Sequence, residues 1–146
     1  METEKRLKML QLFYAGVLAD SVRRYSEAGI LDEVEARKEQ EQRMAAKNQL
    51  AQLQISTPAE IFELYSEVFG CISWNIEKAG ENLTATGRSC LLCAIAKKMN
   101  LPQPCNIYCI NPVRAQVEAL DGRNSLRVVS TLWEGDRCEF QVVTNL

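Results

Sequence analysis

The chain has 146 residues, 47% of them hydrophobic and 25% charged, and a net charge of −2. That balance suits one globular domain and excludes a disordered chain. No apolar run approaches the ~20 residues of a membrane span, the charged start Met1-Glu2-Thr3-Glu4-Lys5-Arg6 has no signal-peptide core, and no basic stretch marks a nucleic-acid surface.

The expectation is therefore a cytoplasmic protein with no membrane or nucleic-acid partner. The chain has no histidine, which removes the usual general base near neutral pH and the commonest nitrogen ligand for metals. It has six cysteines. In a reducing compartment these are free thiols, thiolates or metal ligands rather than structural disulfides.

The first stretch, Glu4 to Ala28, reads as an amphipathic helix. Leu7, Leu10, Tyr14, Val17, Leu18, Val22 and Tyr25 recur at helical spacing, and Gly29 is a natural stop. Asp32 to Leu53 is a second helix, crowded with Glu35, Arg37, Lys38, Glu39, Glu41 and Arg43 and sparse in apolar residues. Such a helix either faces solvent or lies against a second subunit, which would make a homodimer through the N-terminal helices. Thr57-Pro58-Ala59-Glu60 carries a cap, a first-turn proline and a capping-box glutamate, and an apolar face then runs to Gly70.

Between Cys71 and Thr86, Ile72, Trp74 and Ile76 alternate with polar residues, and the turn formers Lys78-Ala79-Gly80-Glu81-Asn82 make a β-hairpin. A helix follows from Ser89 to Met99. Another starts at Cys105, is broken or restarted at Asn111-Pro112, and ends at Asp121-Gly122. Leu126–Trp133 and Arg137–Val143 are strands joined by Glu134-Gly135-Asp136. The order predicts α+β: N-terminal helices packed on a small antiparallel sheet with a C-terminal β-hairpin. Residues 1–55 form a helical arm and 56–146 an α+β core with a cysteine-lined pocket, in a single domain.

Cys90 and Cys93 stand three apart on one helix, Cys105 and Cys109 four apart on the next, and Cys138 is in phase with Phe140 and Val142 on the last strand. Three elements thus offer thiols to one interior. They are inert core residues, ligands of zinc or iron (Cys90, Cys93, Cys105, Cys109 and Cys138), or reactive thiols. In the last case Arg88 and a helix N-terminus would activate Cys90 or Cys93, while Asp136 and Glu139 would supply acid–base help beside Cys138. Trp74 and Trp133 are core aromatics or the walls of a ligand pocket.

Cys93-Ala94-Ile95-Ala96-Lys97-Lys98-Met99-Asn100-Leu101-Pro102, then Cys109, then Leu132-Trp133-Glu134-Gly135-Asp136-Arg137-Cys138-Glu139-Phe140 resembles the L-2-amino-thiazoline-4-carboxylic acid hydrolase family. That pattern has a cysteine opening a short helix, a second about four helical turns on, and a Gly-Asp-x-x-Cys-Asp-Phe-like strand. This chain departs from it in Ala94 for a proline, Glu139 for an aspartate, and one residue rather than two between Asp136 and Cys138. The Gly-Asp…Cys-x-Phe ending is shared with 4-vinyl reductase domains, which are sensor-like modules.

The resemblance implies a hydrolase that opens a thiazoline ring and needs no cofactor. It implies Cys93 or Cys138 as nucleophile, Asp136 or Glu139 as acid–base, Arg88 on a substrate carboxylate, and Cys109 in the pocket. Two other readings stand beside it. One is a domain that binds a small molecule or a metal without turnover, and the other is a dimeric interaction protein with inert cysteines.

Overall fold

The computed structural model describes residues 1–145. They form the expected α+β arrangement, with helices over one face of a four-stranded antiparallel sheet of order β1-β2-β4-β3.

Helix α1 (Thr3–Glu27) buries Ala15, Ala19 and Val22 against the later part of the chain. Of the larger residues expected inside, Val22 is buried, but Leu10 is 67% and Val17 65% exposed. The alanines explain the difference, because short side chains let two helices approach closely, and this face lies on the helix Leu91–Lys98. Helix α2 (Leu31–Leu53) does not stand free. It buries Ala46 and Leu50, and Gln49 accepts a hydrogen bond from Gln116 Nε2 at 3.1 Å while Arg43 pairs with Glu118 at 3.7 Å. Ala46 and Leu50 are thus used within the chain, whereas Met44 is 84% and Leu53 46% exposed.

Helix α3 (Pro58–Leu64) starts as its sequence requires, with the Glu60 N–H donating to Thr57 Oγ1 at 3.3 Å. It runs on into a π-helical turn, Tyr65–Phe69. Gly70 ends that turn at φ 71°, and a side chain there would collide with Gln11. Gln11 Nε2 donates to the carbonyls of Glu67 and Val68 at 3.2 and 3.3 Å, so α1 caps the turn's open end.

Strands β1 (Asn75–Ala79) and β2 (Asn82–Gly87) form the first hairpin. Gly80, at φ 64°, supplies its tight turn. Helix α4 (Leu91–Lys98) follows. A second π-helical turn, Asn106–Ile110, leads without a break into α5 (Asn111–Leu120), so the interruption expected at Asn111-Pro112 is a change of helical pitch. Pro112 lies inside this continuous helix, where it has no N–H to donate to the preceding turn, and the change of pitch falls just before it.

The last hairpin joins β3 (Asn124–Ser130) to β4 (Cys138–Thr144) through 131–137, a longer connection than the turn expected at Glu134-Gly135-Asp136. A register slip between Val128 and Ser130 ends β3 early. Trp133 therefore lies in the connection and not on a strand. Trp74 likewise precedes β1.

Alternation places Leu83, Ala85, Leu126, Cys138, Phe140 and Val142 on the covered face of the sheet. Phe62 meets Trp74 and Phe140 edge-on, with ring centroids 5.3 and 6.5 Å apart. Val113 and Val117 of α5 are fully buried over them. Such aromatic contacts add about 0.5–1.5 kcal/mol each beyond the area they bury. No helix is long and apolar enough to cross a membrane, among the described residues.

Candidate functional site

All six cysteines line one cavity of about 50 Å³. Cys93, Cys105 and Cys138 are buried, Cys71, Cys90 and Cys109 half-buried, and none is in a disulfide. Each arrives by a definable local route. Cys90 caps α4, and its Sγ accepts the Cys93 N–H at 3.4 Å. Cys93 sits one turn further on and points the same way. The bridge between Ile72 and Cys90, with the Leu91 N–H donating to the Cys71 carbonyl at 2.7 Å, lays Cys71 beside the same helix start. Cys105 and Cys109 come from the second π-turn and the residue before it, and Cys138 from the covered face of β4.

The rest of the lining is apolar or phenolic: Tyr14 and Leu18 of α1, Tyr65 and Phe69 of the first π-turn, Tyr108 of the second, then Ile72, Leu92, Pro104, Thr131 and Phe140. Both π-turns thus face the cavity, as such turns often do at sites of function. Tyr14 stacks on Phe69 at 5.3 Å, and Tyr108 shares a hydrogen bond with Ser21. Among the described residues no Asp, Glu, Lys or Arg lines it.

Within the cavity the Cys93 and Cys105 sulfurs lie 3.6 Å apart. The Leu132 N–H donates to Cys138 Sγ at 3.2 Å. This environment disfavours thiolates. Burial, and then the neighbouring Cys90, push Cys71 up to about 11. Cys93 is pushed up to about 12, first by its contact with Cys105. Cys90 is raised by its hydrogen bond with Cys93 and by burial, and Cys109 is raised well above the ordinary thiol value by burial. Burial also raises Cys138, against the pull of the Leu132 N–H. Tyr65 is raised by burial too. The physical cause is shared: a charge in this dry wall has nothing to pair with.

The other residues read from the sequence lie elsewhere. Arg88 and Asp136 are exposed. Glu139 neighbours Cys138 in sequence but points to the opposite face of β4 and pairs with Arg137 at 3.4 Å. Trp74 is in the core beside Phe140 at 4.9 Å. Trp133 lies under Lys97, whose Nζ is 5.5 Å from the ring centre and donates to the Leu132 carbonyl at 2.7 Å. No three His, Cys, Asp or Glu side chains converge to hold a metal ion, among the described residues.

Cys71 and the three tyrosines were not singled out by sequence reasoning. Cys71 reaches the site by a strand-like pairing across the fold and Tyr65 and Tyr108 by π-turns, so local periodicity carries no sign of them, while Tyr14 comes from the helical stripe of α1. A second, open hollow of about 550 Å³ lies outside the start of α4. It shares Cys71, Cys90 and Cys93 with the inner cavity and adds Ser73, Ser89 and Lys97. No family model matches the sequence, and no curated protein matches it either.

Proposed function

We propose that this chain is a binding domain of sensor type, which holds a small guest in the cysteine-lined cavity without turning it over. The observation that carries the reading is the convergence of all six cysteines on one largely apolar wall that, among the described residues, no charged residue lines. A thiol attacks as its thiolate, Cys93 and Cys109 are both raised above the ordinary thiol value, and among the described residues no carboxylate or amine lines the cavity to act as a base. A carboxylate guest would need a cation, and the wall offers none. Size points the same way: the cavity measures about 50 Å³, against the ~150 Å³ that admits benzene. The six free cysteines suit a reducing, cytoplasmic setting.

The hydrolase reading keeps one specific support, the outer groove, where Cys90 and Cys93 meet Ser73, Ser89 and Lys97 in a space large enough for a thiazoline acid. Two measurements divide the readings. Under xenon pressure, crystals of the binding domain show xenon against Cys105 and Phe140, and 2-amino-thiazoline-4-carboxylate is not hydrolysed above buffer. Hydrolysis that disappears in Cys93→Ser would overturn the proposal in favour of the enzyme.

A further inference from the structure

We infer that Cys93 and Cys105 are a dithiol site for trivalent arsenic, which enters the cavity as neutral arsenous acid. The inference rests on the cavity being a binding site, and it names the guest.

Four observations lead to it. First, the two sulfurs stand 3.6 Å apart without a disulfide. Sulfurs in van der Waals contact are set as a pyramidal centre needs them, whereas a linear two-coordinate ion would drive them apart. Second, the wall offers sulfur and phenol but no carboxylate or imidazole, a donor set for soft guests. Third, no three ligand side chains converge, among the described residues, so the tetrahedral sets of zinc and of iron–sulfur clusters are not preformed.

Fourth, charge decides among the soft guests that remain. Burying an unpaired ion in an apolar wall is expensive. Cuprous ion on two thiolates leaves a net negative charge, zinc must enter as a cation, and mercuric ion on two thiolates is linear and would drive the sulfurs apart. Arsenous acid is neutral before it binds and neutral afterwards. Two arsenic–oxygen bonds break and two arsenic–sulfur bonds form. Each departing hydroxide leaves as water with one thiol proton, and arsenic stays trivalent. No base is required, which fits a Cys93 thiol raised by its contact with Cys105 and a lining that, among the described residues, has no charged group.

The test uses sodium arsenite on the anaerobically purified chain. Arsenic retained after gel filtration is expected at one per chain, with no net proton release in weak buffer. Cys93→Ala and Cys105→Ala are each expected to lower retention by at least about tenfold. In the wild-type chain, bound arsenite protects Cys93 and Cys105 from alkylation, as read by peptide mapping. This readout needs no variant to fold. Absence of retained arsenic, retention unchanged in the double variant, or protection falling on other cysteines would each overturn the inference. If xenon still enters the cavity while arsenite does not bind, the binding-domain reading survives and only the guest is wrong. If neither enters, both fail.

Discussion

The inner cavity and the outer groove share Cys71, Cys90 and Cys93, yet they offer these thiols two different chemistries. Inside, the walls are tyrosine, phenylalanine and further cysteine, in about 50 Å³. Outside, Ser73, Ser89 and Lys97 border an open space of about 550 Å³. A thiol facing water and a lysine can ionise and attack, and one facing a dry wall can only be displaced by a neutral or soft guest. Which side a sulfur faces, more than the number of sulfurs, sets what this protein can do.

Several substitutions and titrations would break or sharpen that contrast. The largest effect is expected from Phe140→Ala, which removes a side chain 1% exposed that packs on Phe62 and Trp74 and walls the cavity. It should cost about 3–5 kcal/mol in urea unfolding; a loss below about 1 kcal/mol would mean that the wall collapses and the cavity is not rigid.

Alkylation comes next. With Cys93 raised to about 12 and Cys71 to about 11 from 9.0, thiolate fractions at pH 8 fall about a thousandfold and a hundredfold below those of free cysteine. Iodoacetamide should therefore label Cys71 before Cys93, and both slowly. Fast labelling of Cys93 at neutral pH would hand the site to the groove and to nucleophilic chemistry.

The same shifts act on stability with a fixed sign. Because folding raises these pKa values, the folded state holds its thiol protons more tightly than the unfolded chain does. That contribution is complete below pH 9 and is lost as pH rises towards 11 and 12. The urea midpoint should accordingly decline above pH 9, and should decline less in Cys93→Ala.

Smaller differences separate the two sides by residue. Cys138→Ser places a hydroxyl in the apolar wall and should cost about 1–3 kcal/mol, while Cys71→Ser, beside the groove, should stay within about 0.5 kcal/mol. Lys97→Ala, which loses only the Trp133 contact and one exposed hydrogen bond, should cost about 0.5–1 kcal/mol. Equal costs for the two serine variants would erase the distinction between dry and wet faces.

Much of this architecture is written in local signals. Thr57-Pro58 starts α3, Gly80 turns the first hairpin, and the alternation of Cys138, Phe140 and Val142 sets the covered face of β4. The phase of α1 is not, because Ala15 and Ala19 carry weak apolar signals and are buried for the room they leave. Nor is the extent of the last hairpin. The slip after Val128 and the hydrogen bond from Leu132 to Cys138 Sγ pull Trp133 off the strand, and both depend on contacts across the fold. Helical and strand spacing suffices to aim Cys93, Cys105, Cys109 and Cys138 at one interior, but it says nothing of Arg88, Asp136 and Glu139, which the fold leaves outside the cavity. A carboxylate next to a cysteine in sequence is, on a strand, on the other side of the sheet.

The two π-turns carry a consequence for the history of such a pocket. Each fits one more residue into a turn than an α-helix does, as a single inserted codon would. Deleting one residue within Tyr65–Phe69 or Asn106–Ile110 would restore ordinary pitch and swing the following side chains by about 100°. The side chains on either side of the turn would then lose their common target, and after the second turn Val113 and Val117 of α5 would swing off the core as well. One extra residue per turn thus aims the cavity wall and the core from the same helix.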